Sequence, residues 1–307
     1  MSASVAIVIV THNRRAMLET ALRACLAQPA QRIFVVNNAS SDGTREYLDS
    51  LAAREPRILP RHLQENGGSA GGFAEGLRLA HAAGYEWFWL MDDDVEPVPG
   101  GLQSLLTCAK KIGAPCCLYP AKRCADGRLF DFEYKISRQT LKRWRISTLG
   151  ELEYGALVPC NSGNFEGAFL HRDIVTKIGL PDARMFICWD DAFYGMQAAE
   201  YMKCLYMHTV CIKKQFDKER FCVAGKGYLG STLFSRCHFL RNYWELMRYL
   251  KTRHELSCFA YLRYVYEFLK AVLVTVVIER NVCGIVRLCQ YAKQGWQGNF
   301  TPREVRI

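Results

Sequence analysis

The sequence predicts an α/β fold in which a mainly parallel central sheet is flanked by helices. Strongly apolar segments recur along the first part of the chain, and each is followed by a segment with the apolar spacing of a helix. Three consecutive aspartates follow one of these segments, a wholly apolar run, and open α/β sheets bind ligands at the carboxyl ends of their strands. At 307 residues, the chain is long enough for one large domain or for one domain with an appendage.

The first predicted strand covers residues 5–10 and is apolar throughout, which is typical of a strand buried in a parallel sheet. A helix follows with Met17 and Cys25 on its apolar face. A second strand at residues 33–36 precedes another helical segment. Strand, helix, strand and helix at this spacing predict a βαβ unit.

A glycine-rich segment, Asn66 to Phe73, opens the third predicted helix. Glycines before a helix let the backbone approach a ligand closely and direct N–H groups toward an anion. The segment follows the third strand rather than the first, and its glycine spacing differs from that of the dinucleotide-binding fingerprint. With an aspartate cluster about twenty residues later, it indicates a phosphate site.

The predicted strand at residues 87–91 ends in Asp92, Asp93 and Asp94, and we expect Pro97 to stop it from continuing. Three adjacent carboxylates repel one another unless a cation lies among them. A hard divalent ion such as Mg²⁺ or Mn²⁺, held by carboxylates and substrate phosphates, removes that repulsion. The alternative is an acidic solvated turn, which is rare after so apolar a strand. We therefore predict a site for a nucleoside diphosphate.

A second acidic pair, Asp190 and Asp191, follows Trp189 at the predicted start of a helix, where carboxylates interact favourably with the helix dipole. Helix capping by Asp190 is the simpler interpretation. The neighbouring aromatic side chain also offers a stacking face for a sugar ring, which capping does not need. Before this pair, residues 161–170 are predicted to form a glycine-punctuated strand near a ligand.

The formal net charge of +10 is concentrated in the last third of the chain, where residues 201–307 contain 18 Lys/Arg and 7 Asp/Glu. Between residues 231 and 278 these basic residues alternate with aromatic and aliphatic ones. The pattern fits a helix in an anionic membrane interface, and equally a helical pair packed on the core with a solvated basic face. The apolar run 271–278 is too short to span a membrane. Because the segment matches no nucleic-acid motif, we expect no nucleic-acid partner.

The fourteen cysteines are scattered, and the N-terminus lacks the basic segment of an export signal. A disulfide framework is typical of short secreted chains. We therefore expect a cytoplasmic protein with reduced thiols.

These motifs together resemble the inverting family 2 glycosyltransferases, which have the GT-A fold. The resemblance covers about residues 5–215. It rests on five motifs in the expected order, which are Thr11-His12-Asn13-Arg14, the Asn37-to-Thr44 turn, the Asn66-to-Phe73 segment, the three aspartates and Trp189-Asp190-Asp191. Within the family, bacterial galactofuranosyltransferases are the most similar and rhamnosyltransferases come next.

The resemblance implies transfer of a sugar, galactofuranose from UDP-galactofuranose, onto a hydroxyl of a lipid-linked or polysaccharide acceptor. A rhamnosyltransferase or another hexosyltransferase is the alternative. The reaction would serve cell-surface glycan synthesis, such as that of O-antigen, at the inner face of the cell membrane. Residues 1–220 would form the nucleotide-sugar-binding and catalytic domain, and residues 221–307 a helical, basic and aromatic region.

The resemblance also implies residue roles. Asp191 would be the general base, Asp190 a neighbouring hydroxyl ligand, and Trp189 would pack against the sugar. Asp94 would hold Mn²⁺ or Mg²⁺, with Asp92 on the ribose or a metal-bound water. Thr11, Asn13, Asn37 and Asn38 would line the uridine pocket. The other implied substrate-binding positions are Arg14, Asn66, Gly67, Gly68, Gly71, Gly72, Asp93, Glu166 and Gly167.

One departure concerns the metal. Galactofuranosyltransferases of this kind place a third metal ligand, a histidine, on a strand beyond the general base, where residues 211–215 of this chain contain none. His208 lies slightly earlier and is a candidate for that ligand.

A sugar-1-phosphate nucleotidyltransferase is a second enzyme class with a nucleotide-binding sheet. Such an enzyme carries a glycine-rich, basic phosphate loop directly after the first strand. This chain has Thr11-His12-Asn13-Arg14 there instead, which disfavours that class.

Overall fold

A computed structural model describes residues 3–130, 133–146, 152–216, 220–223, 226–229 and 231–300, with the backbone alone for residues 220–223 and 226–229. The chain divides into two compact units. The first comprises Met1–Lys135, Arg145–Ala183 and Asp191–Asp217, and the second comprises Ile136–Trp144, Arg184–Asp190 and Lys218–Ile307. The predicted boundary at residue 220 stays a prediction.

The first unit is built on a nine-stranded sheet. Eight strands follow the order β3-β2-β1-β4-β10-β6-β11-β5, and β9 pairs with β11. Their bounds are β1 Val5–Thr11, β2 Arg32–Asn37, β3 Ile58–His62, β4 Trp87–Asp92, β5 Val95–Pro97, β6 Cys116–Arg123, β9 Leu157–Pro159, β10 Phe169–His171 and β11 Lys203–Lys214. Strands β1 to β4 pair in parallel, as do β6 and β11, whereas β5, β9 and β10 pair antiparallel. The predicted mainly parallel sheet is confirmed.

Helices cover both faces of this sheet. Those that carry residues of the first unit are α1 Arg15–Leu26, α2 Thr44–Ala52, α3 Gly68–Ala82, α4 Gly101–Ile112, α5 Asp173–Ile178 and α6 Asp190–Ala198. Alternate residues of β1 enter two different cores. Ile7 and Ile9 pack with the apolar faces of α1, α2 and α4, and Val8 and Val10 pack with those of α3 and α6. A strand buried on both faces therefore needs a continuous apolar sequence.

Most of the glycine-rich segment lies within α3, which begins at Gly68, whereas Asn66 and Gly67 precede the helix. A Cβ atom on Gly72 would lie 2.4 Å from Val10 Cγ1, and one on Gly76 would lie 2.3 Å from Val8 Cγ1. These two glycines let the helix lie directly against β1. Gly71 has no such restriction, because a Cβ there would approach only Ala183, at 4.0 Å.

Two sequence expectations about strands are wrong. Pro97 does not end the apolar strand, because β4 already ends at Asp92 and Pro97 closes β5, which pairs only with β11 at the end of the sheet order. Proline is tolerated at such an edge because its missing N–H removes no central ladder bond. The strand predicted at residues 161–170 is confined to β10, Phe169–His171, and residues 161–168 form a loop.

The second unit is mainly helical, with α7 Leu233–Thr252, α8 Phe259–Leu273 and α9 Gly284–Gln297. A π-helical segment, Val274–Ile278, continues α8. Short strands elsewhere are β7 Tyr134–Ile136, β8 Arg143–Arg145, β12 Arg220–Val223 and β13 Lys226–Leu229, and a 3₁₀ turn covers Ala183–Met185. In the part of the chain that the structure describes, no helix combines the length and apolarity needed to cross a membrane.

Candidate active site

The carboxyl end of β4 gathers acidic side chains from two parts of the chain. Asp92 is the last residue of β4, and Asp93 and Asp94 form the turn that leads into β5. The backbone N–H of Gln215 donates to the Asp94 carbonyl at 2.9 Å, which ties this turn to the end of β11. Glu166, from the loop before β10, places its carboxylate beside those of Asp92 and Asp94.

One oxygen from each of Asp92, Asp94 and Glu166 lies within 4.8 Å of the other two. Burial raises the pKa of Asp92 well above its ordinary value, and the neighbouring carboxylates of Asp94 and Glu166 raise it further. Asp94 Oδ1 is buried and has no hydrogen-bond partner among the described residues. Buried oxygens that lack a donor favour a cation, and three carboxylates are the ligand type that hard divalent ions prefer. The residues therefore fit Mg²⁺ or Mn²⁺.

Asp93 points to the other side of the turn, toward the end of β1. Thr11 Oγ1 donates to Asp93 Oδ2 at 2.8 Å. Arg14 Nη1 lies 3.3 Å from Asp93 Oδ1 and 3.2 Å from Asp94 Oδ2, so one guanidinium joins two of the aspartates. Burial raises the pKa of Asp93, and the contacts from Thr11 and Arg14 act against that rise. The predicted positions Thr11, Arg14 and Asp93 are thus brought together.

A buried ionic network that the sequence analysis missed flanks the cluster. Lys122 Nζ lies 2.8 Å from Glu133 Oε1 and 3.5 Å from Glu166 Oε2, and Lys214 Nζ pairs with Glu166 Oε1. Burial alone would lower the pKa of Lys122, but Glu133 and Glu166 outweigh it and hold that pKa above its ordinary value. Lys122 belongs to β6 and Lys214 to β11, so only strand pairing brings them to Glu166.

The predicted nucleotide-binding asparagines organise the loops at the ends of β1 and β2. Asn38 Oδ1 accepts from the Gly67 N–H at 2.8 Å, and Asn38 Nδ2 donates to the Gly68 carbonyl at 2.8 Å. Asn13, which adopts a left-handed φ of 52°, accepts from the Ser41 N–H at 2.8 Å. These bonds join three loops at the carboxyl side of the sheet. Direct contact with a nucleotide stays a prediction for these residues.

Other predicted positions also have structural partners. Asn37 Oδ1 accepts from the Ser40 N–H at 3.0 Å, and Asn66 Oδ1 accepts from the Gly68 N–H at 2.8 Å. Gly167 has a φ of +90°, which favours glycine, and its carbonyl accepts from Trp89 Nε1 at 3.2 Å.

His208 lies on β11, and its Nδ1 is 3.2 Å from the Tyr206 hydroxyl. The three-carboxylate cluster found among the described residues does not include it. Glu166, predicted as a substrate-binding residue, is the third acidic group there instead. A metal role for His208 has no support in this geometry.

The segment that leads to the second acidic pair has a strained backbone. Phe186, Cys188 and Trp189 have φ angles of 63°, 67° and 68°, a left-handed region that bulky side chains rarely adopt. Helix α6 begins directly afterwards at Asp190, as the sequence predicts. Asp191 is half-buried, and its Oδ1 accepts from the Ala192 N–H at 2.6 Å.

A fully buried side chain from α7, Asn242, holds this strained segment. Its Nδ2 atom lies 2.8, 2.9 and 2.8 Å from the carbonyl oxygens of Met185, Ile187 and Cys188. Arg241 Nη2 donates to the Met185 carbonyl at 2.8 Å, and Arg241 Nε donates to Asn242 Oδ1 at 2.9 Å. Helical periodicity in α7 does not distinguish this pair. Arg241 is one of several basic residues in the stretch, and Asn242 is a single polar residue among them.

Trp189 is buried within the second unit, with 5% of its surface exposed. Its ring lies 5.0 Å from the ring of Phe239 and 5.6 Å from that of Tyr243, and the Arg143 guanidinium lies 5.2 Å from its centroid. Protein side chains therefore cover much of the indole, and packing against a sugar stays a prediction.

We expect replacement of Asn242 by leucine to lower the free energy of unfolding by about 3 kcal/mol, because several buried carbonyls lose their donor. Amide hydrogen exchange should accelerate in residues 185–192 in particular. Leu250→Ala is a matched control, since Leu250 is buried on the same helix and its truncation leaves a cavity instead. Equal exchange of residues 185–192 in the two variants would contradict the role of Asn242.

The sequence and the fold of this chain are similar to those of known proteins. The sequence model described as "Glycosyl transferase family 2" matches residues 6–167. Galactofuranosyltransferase GlfT1 of Mycolicibacterium smegmatis is 32% identical over 193 residues, which cover 60% of this chain and 61% of that protein. Galactofuranosyltransferase GlfT1 of Mycobacterium tuberculosis H37Rv is 32% identical over 203 residues, which cover 62% of this chain and 63% of that protein. The matches thus span less than two thirds of these relatives.

Solved structures with the same fold include S. aureus TarS residues 1–349 in complex with UDP-GlcNAc, with a TM-score of 0.58, 12% identity, and coverage of 97% of this chain and 82% of that one. The structure of GalNAc-T7 with UDP, GalNAc and Mn²⁺ has a TM-score of 0.58 at 12% identity, over 78% of this chain and 47% of that one. These likenesses confirm the predicted GT-A fold.

The family match covers more than half of the chain and includes both the Asp92–Asp94 turn and Glu166, and it shows that this chain belongs to glycosyl transferase family 2.

Proposed function

We propose that the protein transfers galactofuranose from UDP-galactofuranose to a hydroxyl group of a lipid-linked or polysaccharide acceptor. The observation that carries this proposal is the cluster of Asp92, Asp94 and Glu166, with its unpartnered buried oxygen, at the carboxyl end of β4. That position is where open α/β sheets bind nucleotides. The choice of sugar rests on the galactofuranosyltransferases at 32% identity.

The proposed divalent ion, Mn²⁺ or Mg²⁺, would be held by Asp92, Asp94 and Glu166. It would act as a Lewis acid that offsets negative charge on the departing diphosphate. Arg14 and Thr11 bind the Asp93 carboxylate, and Arg14 also contacts Asp94 Oδ2, so these contacts help to fix the turn that carries the proposed ligands. The protein thus supplies preorganised oxygen ligands rather than a flexible acidic loop.

Asp191 is the proposed general base. It accepts the proton of the acceptor hydroxyl while that oxygen attacks the anomeric carbon on the face opposite the diphosphate. A single displacement inverts the configuration at that carbon, so no covalent nucleophile is required. Asp190 is the proposed ligand of a sugar hydroxyl. The left-handed backbone of Phe186, Cys188 and Trp189 directly before Asp190, the first residue of α6, supports a functional role for this segment.

A membrane-facing surface is proposed for α8 and its continuation. The side chains concerned are apolar or aromatic and more than half exposed, namely Phe259, Leu262, Val265, Tyr266, Leu269, Leu273 and Val277. Their spacing places most of them on one stripe of the helix. The opposite face packs within the second unit, where Tyr264 lies 5.0 Å from Trp244.

Charge supports an anionic lipid surface as the occupant of this apolar stripe. Residues 258–297 contain five Lys/Arg and two Asp/Glu. Apolar side chains flanked by cations are typical of helices that lie in a lipid interface. A peripheral position at the inner face of the cell membrane would bring the enzyme to a lipid-linked acceptor.

Donor specificity tests the main proposal. We expect release of UDP from UDP-galactofuranose in the presence of Mn²⁺ to exceed turnover of UDP-galactopyranose, GDP-mannose and dTDP-rhamnose. Chelation with EDTA should abolish release, since the carboxylate cluster would lose its ion. Preference for dTDP-rhamnose would indicate a rhamnosyltransferase instead. Undiminished turnover in EDTA would show that the reaction needs no metal.

Comparison of Asp191→Asn with Asp190→Asn distinguishes the proposed roles of the two carboxylates. Asp191→Asn keeps the side-chain shape but cannot accept a proton, so kcat should fall roughly 10²–10⁴-fold with little change in UDP affinity. Asp190→Asn should mainly raise the apparent KM. Helix capping alone would cost about 1 kcal/mol of stability and leave kcat near normal. Near-normal kcat in folded Asp191→Asn protein would exclude Asp191 as the base.

Vesicle binding tests the apolar stripe. Leu269→Glu places a charge on the stripe and should reduce binding to vesicles that contain phosphatidylglycerol, because the carboxylate resists transfer to the interface. Gln290→Glu adds the same charge at an exposed position of α9 and serves as the control. Unchanged vesicle binding by Leu269→Glu would refute the proposal. A wild-type dimer that Leu269→Glu converts to a monomer would assign the stripe to a second copy of the chain instead.

A further inference from the structure

A lysine side chain, Lys214, lies beside the carboxylate cluster in the folded protein. Lys214 is 5% exposed, and its ammonium pairs with Oε1 of Glu166, one of the three carboxylates grouped with Asp92 and Asp94. The other oxygen of Glu166 lies 3.5 Å from Lys122 Nζ. Glu166 thus already has a cationic neighbour on each oxygen.

Several buried side chains contact one another around Lys214. Lys122 Nζ lies 2.8 Å from Glu133 Oε1, and Asn164 Nδ2 donates to the same oxygen at 3.1 Å. The ring of Phe130 lies 5.5 Å from Lys122 Nζ and 5.1 Å from Lys214 Nζ. An exposed lysine would instead have been free to leave Glu166 at little cost.

The charges around the cluster do not balance. Among the residues that the structure describes, five carboxylates and three cations lie along this site, which leaves two negative charges when all eight groups are ionised. The groups are Asp92, Asp93, Asp94, Glu133 and Glu166 on one side and Arg14, Lys122 and Lys214 on the other. A single divalent ion matches this excess, but its positive charge must then lie close to the ammonium of Lys214.

We propose that Lys214 is the resident cation of the acidic cluster, which pairs with Glu166 when no divalent ion is bound and competes with that ion for the carboxylate. This inference rests on the proposed metal site. Like charges a few ångströms apart in a protein interior repel strongly, so Lys214 weakens the binding of a divalent ion. A ligand that brings negative charge offsets this repulsion.

The diphosphate of the donor is such a ligand. Divalent ions in nucleotide sites are held jointly by one or two carboxylates and by substrate phosphates. With Lys214 present, the ion therefore binds weakly alone and more tightly together with a nucleoside diphosphate. The cluster thereby remains ordered between turnovers without a permanently bound metal.

Direct measurement of Mn²⁺ binding tests the proposal without any assay of transfer. The dissociation constant is obtained from the electron paramagnetic resonance signal of free Mn²⁺, with and without UDP. Lys214→Met should bind Mn²⁺ alone at least about tenfold more tightly than the wild type. The gain in Mn²⁺ affinity on addition of UDP should be smaller in this variant than in the wild type.

Lys213→Met is the matched control. Lys213 is the preceding residue on β11, is half-exposed, and lies 3.3 Å from Glu96 Oε2 rather than beside the cluster. It removes the same charge, and Mn²⁺ affinity should change less than about twofold because solvent screens this position. Lys214→Gln retains a donor for Glu166 without the charge, and it replaces Lys214→Met if the methionine variant does not fold.

Unchanged or weaker Mn²⁺ binding in the folded Lys214 variants would overturn the proposal. An equal gain in Lys213→Met would also overturn it, because net charge rather than position would then be responsible. Absence of Mn²⁺ binding in every variant would refute both Lys214 competition and the metal site. UDP release that persists in EDTA would leave the proposed transfer reaction standing in that case.

Discussion

Repulsion among the carboxylates at the carboxyl end of β4 is the constraint on which the rest of this site depends. Asp92, Asp93 and Asp94 are adjacent in the chain, and the fold adds Glu166 beside them. Burial makes each negative charge more costly, because the protein interior solvates ions poorly. Cations from three different elements compensate: Arg14 at the start of α1, Lys122 on β6 and Lys214 on β11. The surrounding strands must therefore hold their register for the charges to remain paired.

The segment that precedes the second acidic pair is held by a different physical means. The backbone from Phe186 to Trp189 occupies left-handed conformations that cost energy for side chains of this size. Asn242, fully buried on α7, repays part of that cost with bonds to the carbonyl groups of the same segment. The strain is concentrated immediately before Asp190 and Asp191. Strained backbone that is held by a buried amide is typical of segments whose geometry serves a function.

Helix α8 divides its surface between two environments. Ala260, Tyr264 and Ala271 face the interior of the second unit, while an apolar stripe on the other side stays open to solvent. An exposed apolar stripe of this length is unfavourable in water and indicates a partner surface. Sequence periodicity could not decide between a membrane interface and a covered core face, because aromatic and aliphatic residues occur on both sides of the helix. Burial in the folded chain identifies which side is left uncovered.

The sequence by itself determined the α/β class, the βαβ unit at the start of a mainly parallel sheet, the family, and the two acidic motifs. Local sequence patterns predict these features, namely continuous apolar strands, helical spacing, and carboxylates directly after a strand. It did not show that Gly72 packs α3 on β1, and it overlooked Lys122, Glu133, Lys214 and Asn242. Only the tertiary structure brings Lys122, Glu133 and Lys214 to the carboxylate cluster and Asn242 to the segment before Asp190. Their partners lie tens of residues away, and no local pattern records which side chains a β-sheet register or a helix contact will place together.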